Sequence, residues 1–451
     1  MGRLFGTDGV RGVANQDLTP ELAFRLGRAG AHVLVGKKGV ATGSGRILIG
    51  RDTRVSGEML EAALVAGITS TGVQAELLGV TPTPGVAYLI RKLNADAGVM
   101  ISASHNPGAD NGIKFFDAQG YKLTDEVEDE IESFLAPDRS REMGRPVGIE
   151  VGRVLHREAA RQEYIDYLVT TIGSSFTGAT VVLDCAYGAT YAIAPQVFAA
   201  LGATVIPIHA ENDGAHINVR CGSTHPAMLQ EEVVRRGAQI GFAYDGDGDR
   251  VIAVDEKGEL VDGDQIIGIC GLQLLADGCL PQQAIAVTVY SNLGLIEAFQ
   301  QAGGKVMITE NGDRKVLATM LEKGLVLGGE QSGHIIFLEH NTTGDGIVTS
   351  LQLMTVLLQT NRSLSELKTK VRILPQFMQN VRVTRKDAWQ TNRRISKTIA
   401  DFQQQLGAEG RIFVRASGTE PLIRVMAEGP SQAELEKIVQ AIAGVIGEEL
   451  Q

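Results

Sequence analysis

One hydrophobic pattern recurs three times along this chain. An apolar run, "RILIG", "TVVLDC" or "AIAVTVY", leads into a helical stretch that ends in glycine, and a second apolar run follows at once. The three endings are "GITSTGVQAELLG" around Gly72, "FAALGATVIPIH" around Gly202 and "FQQAGGKVMITE" around Gly303. Glycine stops a helix because it takes the left-handed conformation without steric cost. Strand, helix, strand in that order predicts a parallel sheet covered by helices. The copies lie more than 90 residues apart, too far for a solenoid, so they predict three similar α/β domains with mixed, mainly parallel sheets.

The tail reads differently. From about residue 370 come "QNVRVT", a helical "RRISKTIADFQQQLG", the strand pair "GRIFVRASGTEPLIRVMAEG" and a last helix "SQAELEKIVQAIAGVIGEEL". This predicts a smaller C-terminal α+β domain. Ser431 and Glu434 have the spacing of a capping box at the start of the last helix. The expected domains are 1–154, 155–254, 255–369 and 370–451, around a central cleft.

The 451 residues agree with that division, since about 150 residues make an ordinary domain. Apolar residues are 44 % of the chain and charged residues 21 %, enough core and too little charge for a disordered chain. A net charge of −11 gives no field for collecting nucleic acid, so a bound phosphate must be caught by local groups. Cys185, Cys221, Cys270 and Cys279 show no C-x-x-C spacing and read as reduced thiols rather than a disulfide framework or a zinc site. "MGRLFGTDGVRG" has no apolar h-region, Gly6 stands where a myristoylation signal needs Ser or Thr, and no apolar run is long enough to span a bilayer. A cytoplasmic protein with neither a nucleic-acid nor a membrane partner is expected.

Four loops carry chemistry. In "ISASHNPGADNGIKFF", residues 101–116, Ser102, Ser104 and His105 follow a strand end, where α/β folds place ligands. A serine needs activation to act as a nucleophile, and spacing alone does not choose between the two serines. In "DGDGDR", Asp245, Asp247 and Asp249 alternate with glycine after "QIGFAY". Alternation puts three carboxylates on one side of an extended chain, the glycines let the backbone curl so that the oxygens converge, and such crowding calls for a hard cation such as Mg²⁺ or Ca²⁺ between them. An EF-hand is excluded, because Arg250 stands where that loop requires glycine and "VIAVDEKGELV" reads as a hairpin. Asp247, Asp249 and Val251 also match D-x-D-x-V, the pattern of haloacid-dehalogenase-type phosphotransferases, with Asp247 as nucleophile.

In "GGEQSGHIIF", before "HNTTGDG", Glu330, Ser332 and His334 alternate and suit the hydroxyls of a sugar. In "RASGTEPLIR", Arg415, Ser417, Gly418, Thr419 and Arg424 surround a tight turn between two strands. Turn N–H groups and arginine forks match a phosphate dianion. Together the loops predict phosphoryl transfer to or from a phosphosugar, against a non-catalytic phosphosugar-binding protein.

The motifs S-H-N-P, D-G-D-G-D-R, G-E-x-S-G-H and R-x-S-G-T-E-P stand in the order found in the α-D-phosphohexomutase superfamily, which the chain resembles over nearly its whole length. Within it, "GTDGVRG", "NGIKFF", "GGEQSGH" and "NTTGDG" resemble the members that interconvert glucosamine 6-phosphate and glucosamine 1-phosphate, ahead of those acting on glucose or mannose phosphate. The resemblance implies a phosphoserine at Ser104 and one Mg²⁺ per chain on Asp245, Asp247, Asp249 and the serine phosphate. It implies sugar contacts at Glu330 and Ser332 and a phosphate clamp at Arg415, Ser417, Gly418, Thr419 and Arg424. Arg11, Lys114, Arg250 and His334 are implied near the reacting oxygens, and a glucosamine or glucose 1,6-bisphosphate is implied as activator. The partner is then a small phosphosugar, with a homodimer as the candidate assembly. "TENGDRKV" departs from the superfamily pattern, which more often has valine before G-D-R and an aromatic residue after it.

Overall fold

A computed structural model of the chain describes residues 3–6, 8–42, 45–417 and 421–451. Each of the three strand–helix–strand units forms a parallel strand pair, and each pair nucleates its own sheet. The first sheet contains β1 (Val10–Val13), β2 (Arg46–Arg51), β3 (Gln74–Val80), β4 (Ala97–Ile101), β5 (Asp110–Phe116) and β6 (Val154–His156), in the order β1-β5-β4-β2-β3-β6. Strands β2, β3, β4 and β6 are parallel, while β5 returns antiparallel beside β4. Strand β4 is buried along its whole length. Ala97, Val99 and Ile101 enter one core and Met100 the core on the opposite face, as a central strand covered by helices on both sides requires.

The second sheet holds β7 (Thr180–Asp184), β8 (Thr204–Ile208), β9 (Ile240–Tyr244), β10 (Val251–Asp255) and β11 (Leu260–Val261), ordered β11-β10-β9-β7-β8. The third holds β12 (Ala284–Thr288), β13 (Lys305–Thr309), β14 (Leu327–Gly329) and β15 (Ile335–Phe337), ordered β13-β12-β14-β15. Both keep a parallel centre, β8-β7-β9 and β13-β12-β14, and end in an antiparallel hairpin. The hairpin β10–β11 after "DGDGDR" is the element that excluded an EF-hand. The divisions expected near 154 and 254 fall on β6 and β10, which pair within the first and second sheets.

The chain divides into two compact units, Met1–Tyr290 with Ala302–Lys370, and Ser291–Gln301 with Val371–Gln451. The second unit carries the sheet of β16 (Gln376–Arg382), β17 (Arg411–Ala416) and β18 (Leu422–Glu428), antiparallel in the order β16-β18-β17. Ile423, Val425 and Ala427 of its central strand meet Leu435, Ile438, Val439 and Ile442 of the last helix, Gln432–Leu450. That helix starts at Ser431 as expected, but the capping box does not form. The Ser431 hydroxyl makes no cap hydrogen bond, and the Glu434 carboxylate accepts instead from Gln405 Nε2 at 2.8 Å. Among the described residues no helix is long and apolar enough to cross a membrane.

Candidate active site

The loop between β4 and β5 presents Ser104. Its φ is +55°, a left-handed value uncommon for a residue with a side chain, and several bonds hold it there. Its N–H donates to Ser102 Oγ at 2.9 Å, and Ser102 in turn donates to Asp52 at 2.6 Å. Its carbonyl accepts from Arg54 Nη2 and Asn218 Nδ2, both at 2.8 Å. The hydroxyl is left to point at the second sheet, where Oγ donates to Asp245 Oδ2 at 2.5 Å. The structure thus separates the two serines: Ser102 supports the loop and Ser104 meets the carboxylates. The approach needs a bare glycine, since a Cβ on Gly246 would lie 2.5 Å from the Ser104 carbonyl oxygen.

Asp245, Asp247 and Asp249 converge through a turn rather than along an extended stretch, with Gly248 at φ +70°. The intervening glycines let the backbone curl, and this curvature rather than pleating brings the oxygens together. All three are buried, with one ligand oxygen from each within 4.8 Å of the others. Burial, then Asp249 and Asp247, pushes the Asp245 carboxyl well above the usual range. Asp247 Oδ1 and Asp249 Oδ1 are buried without a hydrogen-bond partner. An all-oxygen donor set with orphaned, mutually repelling carboxylate oxygens fits a hard divalent cation. As for Asp247 as nucleophile, its Oδ2 already accepts from Thr83 at 2.6 Å and from Lys114 at 2.8 Å.

Lys114 lies on β5 with 1 % exposure, bridging Asp247 and Asp8 Oδ2 at 2.8 and 2.9 Å. Burial opposes its charge, but Asp247 and Asp8 outweigh it and hold the ammonium above its ordinary pKa. Asp8 also accepts from Arg11, and from Lys122 at 2.6 Å. Lys122 continues to Asp313 at 2.5 Å. His334 stands between Asp313 and Asp249, at 3.8 and 3.6 Å. A chain of alternating charge therefore runs from the trio across the first and third sheets. Arg250, next to Asp249, has its Nε 3.8 Å from that carboxylate. His105 is kept neutral by burial, then by Arg250 and Arg11, with its pKa lowered to about 4.

The sugar-type loop is the turn of the β14–β15 hairpin. Ser332 Oγ donates to Glu330 Oε2 at 3.3 Å, and Glu330 Oε1 accepts from the Gly312 N–H at 3.2 Å. His334 does not share their surroundings. It is 2 % exposed and faces the two aspartates, because the hairpin turn breaks the alternation that the sequence suggested. "HNTTGDG" is buried connective structure: Asn341 donates to the Pro84 carbonyl, Thr342 to the Gly120 carbonyl, and Asp345 caps the helix Gly346–Thr360. In the departing "TENGDRKV" segment, Gly312, Asp313 and Arg314 still bind Glu330, Lys122 and Glu128.

In the second unit, Arg415 on β17 and Arg424 on β18 are direct cross-strand partners. Directly opposed residues of an antiparallel pair point to the same face, so the two guanidiniums share one side of the sheet, which suits a phosphate clamp. The Ser417 carbonyl accepts from Lys386 Nζ at 3.0 Å, adding a third cation to this loop. Gly418 and Thr419, expected in the same clamp, lie outside the described residues.

Sequence reasoning missed Asp8, Asp52, Arg54, Thr83, Lys122, Asn218 and Asp313. Asp8 sits inside "GTDGVRG" and Asp52 and Arg54 inside "RDTR"; Asp8 pairs locally with Arg11 and Asp52 with Arg54, but the contacts that tie them to the site, to Lys114, Lys122, Ser102 and Ser104, are distant in sequence.

Family models for the phosphoglucomutase/phosphomannomutase domains match in order: alpha/beta/alpha domain I at residues 2–142, domain II at 162–258, domain III at 262–372 and the C-terminal domain at 378–445. The chain belongs to the phosphoglucomutase/phosphomannomutase family. Within it, the chain is 55 % identical over 447 residues to the phosphoglucosamine mutase of Desulforamulus reducens, covering 99 % of this chain and 100 % of that one. It is 57 % identical over 446 residues to that of Moorella thermoacetica, with 99 % of each covered. Among solved structures, a family protein from Burkholderia thailandensis superimposes with a TM-score of 0.82 at 23 % identity, over 99 % of this chain and 98 % of that one. The Aspergillus fumigatus N-acetylphosphoglucosamine mutase, in complex with GlcNAc-6P and magnesium, does so at 0.72 and 18 %, over 99 % and 96 %. At these identities the structures establish a shared fold.

Proposed function

We propose that this chain is a phosphoglucosamine mutase, interconverting glucosamine 6-phosphate and glucosamine 1-phosphate through a phosphoserine at Ser104 and a glucosamine 1,6-bisphosphate. The observation that carries the reading is the Ser104 hydroxyl seated on Asp245, beside two further buried carboxylates and Lys114. Relatives at 55 and 57 % identity bear that name.

In the forward half-reaction the Ser104 Oγ–P bond breaks and the same phosphoryl group bonds to the free hydroxyl oxygen of the sugar phosphate. That hydroxyl loses its proton and the serine oxygen ends protonated. The bisphosphate turns over and returns its other phosphoryl group to Ser104. Phosphoryl transfer asks the protein mainly for positioning and charge. Asp245 Oδ2 orients Ser104 Oγ, and Arg54, Asn218 and Ser102 fix the backbone behind it. Lys114, Arg11 and Arg250 supply positive charge near the serine, with His334 held behind Asp249. Glu330 and Ser332 offer acceptors and a donor to the sugar hydroxyls, and Arg415, Ser417 and Arg424, with Gly418 and Thr419, take the spectator phosphate.

Asp245, Asp247 and Asp249 would hold one Mg²⁺ per chain, which when bound supplies charge neutralisation for the transferring phosphoryl group. A glucosamine or glucose 1,6-bisphosphate would prime Ser104. The same reading places the enzyme in the cytoplasm, with a homodimer as the assembly to test by sedimentation. The deciding experiment is phosphopeptide mapping after incubation with the bisphosphate, together with coupled turnover of glucosamine 1-phosphate. A label on Asp247 that hydroxylamine removes, in place of one on Ser104, would overturn the phosphoserine route.

A further inference from the structure

The second sheet carries another set of metal-type ligands, apart from the carboxylate trio. Asp184 closes β7, His209 follows β8 directly, and Cys221 comes from the segment between β8 and the helix Ala227–Arg236. Strands β7 and β8 are parallel, with Asp184 opposite Ile208, so their ends bring Asp184 and His209 side by side. His209 Nδ1 lies 3.0 Å from Asp184 Oδ1. A carboxylate oxygen, an imidazole nitrogen and the Cys221 sulfur all lie within 4.8 Å of one another. Asp184 and Cys221 are fully buried, whereas His209 keeps a 12 % exposed side chain, which leaves an entry path.

We propose that Asp184, His209 and Cys221 form a second cation site, for a borderline-soft divalent transition ion of the Zn²⁺ type. Mixed O, N and S donors suit such an ion, whereas the all-oxygen trio suits Mg²⁺. Loading releases the Cys221 thiol proton to solvent. The imidazole proton moves from Nδ1 to Nε2, which frees the Nδ1 lone pair, and water completes a tetrahedral set. Local spacing conceals the site, because its ligands stand 25 and 12 residues apart with no C-x-x-C.

The chain around these ligands is held in unusual backbone conformations. Ala186, Tyr187, His209, Asn218 and Arg220 all have left-handed φ, between +48° and +60°. That conformation is costly for Ala186, Tyr187 and Arg220, less so for His209 and Asn218, and persists only where the surroundings over-determine it. Asp184 already ties two of these segments, accepting from the N–H groups of Ala186 and Gly222 at 2.9 Å. A shared ion would join all three chain segments. They carry contacts to the serine site: Asn218 binds the Ser104 carbonyl, the Tyr187 carbonyl accepts from Thr53, and the Ala189 N–H donates to the Gly246 carbonyl. The ion would act as a brace and touch no substrate.

The test is cobalt titration of chelator-stripped full-length protein in excess Mg²⁺, following the thiolate-to-cobalt charge-transfer band. An oxygen-only site cannot produce that band. The expected result is a band saturating at one Co²⁺ per chain, displaced by Zn²⁺, lost in Cys221→Ser and in His209→Ala, and retained in Asp247→Asn. Circular dichroism checks folding. If Cys221→Ser does not fold, the more exposed His209→Ala decides. A folded wild-type protein without the band, or a band that survives either substitution at the site, overturns the proposal.

Discussion

Arg54 donates to the main-chain oxygen of Ser104 at 2.8 Å, with its guanidinium fully buried. The rest of its fork is fully engaged too. Nη2 also reaches the Asn106 carbonyl, Nη1 the carbonyls of Pro107 and Asp110, and Nε the Asp52 carboxylate. All five N–H donors of one arginine therefore go to the serine loop and to the aspartate that also binds Ser102. The left-handed Ser104 is a consequence of this cross-bracing rather than of its own preference.

Arg54→Lys keeps the charge but cannot reproduce a planar five-donor fork. Carbonyls left unsatisfied in a buried place cost about 1–3 kcal/mol each. Stability should fall by about 3 kcal/mol, and kcat by about 10²-fold through displacement of the serine, with KM changed much less. Chemical denaturation and steady-state kinetics read the two effects. A variant with wild-type kcat would show that the fork does not position Ser104.

Ser104→Ala should lose turnover by about 10³-fold or more, as expected when the group carrying the covalent intermediate is removed. Thermal stability should change little, because the loop is held through its main chain. Ser102→Ala is the control. It leaves the proposed phosphorylation site in place but removes one of two donors to Asp52 Oδ2 and the acceptor of the Ser104 N–H, so it should keep label uptake and lower stability. Intact-mass spectrometry after incubation with the bisphosphate checks both.

Asp245→Asn should separate activity from stability. Burial and two neighbouring carboxylates raise the Asp245 pKa in the folded chain. A group raised on folding stabilises below its unfolded pKa, and that contribution is lost as pH rises through the folded value. In chelator, the Tm of the wild type should therefore fall relative to Asp245→Asn as pH rises from about 4 towards neutrality. Excess Mg²⁺ should close the gap, while the variant loses turnover by about 10²-fold. Parallel Tm curves for the two proteins across that range in chelator would remove repulsion as the cause.

The amino-sugar preference should appear as a higher kcat/KM for glucosamine 1-phosphate than for glucose 1-phosphate or mannose 1-phosphate, each with a trace of its own bisphosphate. "HNTTGDG" is buried and bonded to Pro84 and Gly120, so discrimination falls to the Glu330–Ser332 turn. One polar substituent is weakly discriminated where no buried partner demands it. Measurable side activity on glucose 1-phosphate is therefore expected, and Glu330→Gln should narrow the gap between the two sugars. Equal kcat/KM for the neutral sugars would limit the assignment to the wider family.

The sequence alone determined the parallel strand pairs, because the period of apolar residues and the glycine after each helix are local properties. It also singled out the loops proposed to carry the chemistry, since each motif is contiguous: a serine beside histidine, three aspartates between glycines, two arginines around a turn. Tertiary structure alone decided which serine meets the carboxylates, that His334 faces inward, and that "HNTTGDG" is connective. It also decided that Arg54, Asp8, Lys122, Asp313 and Asn218 belong to the site. These outcomes depend on partners well separated in sequence: Arg54 and Ser104 are 50 residues apart, Ser104 and Asp245 141, and Lys122 and Asp313 191. Burial then fixes their charge states. Desolvation and the Coulomb field at a buried group depend on every charge folded around it, a sum that exists only once the sheets have brought those charges together.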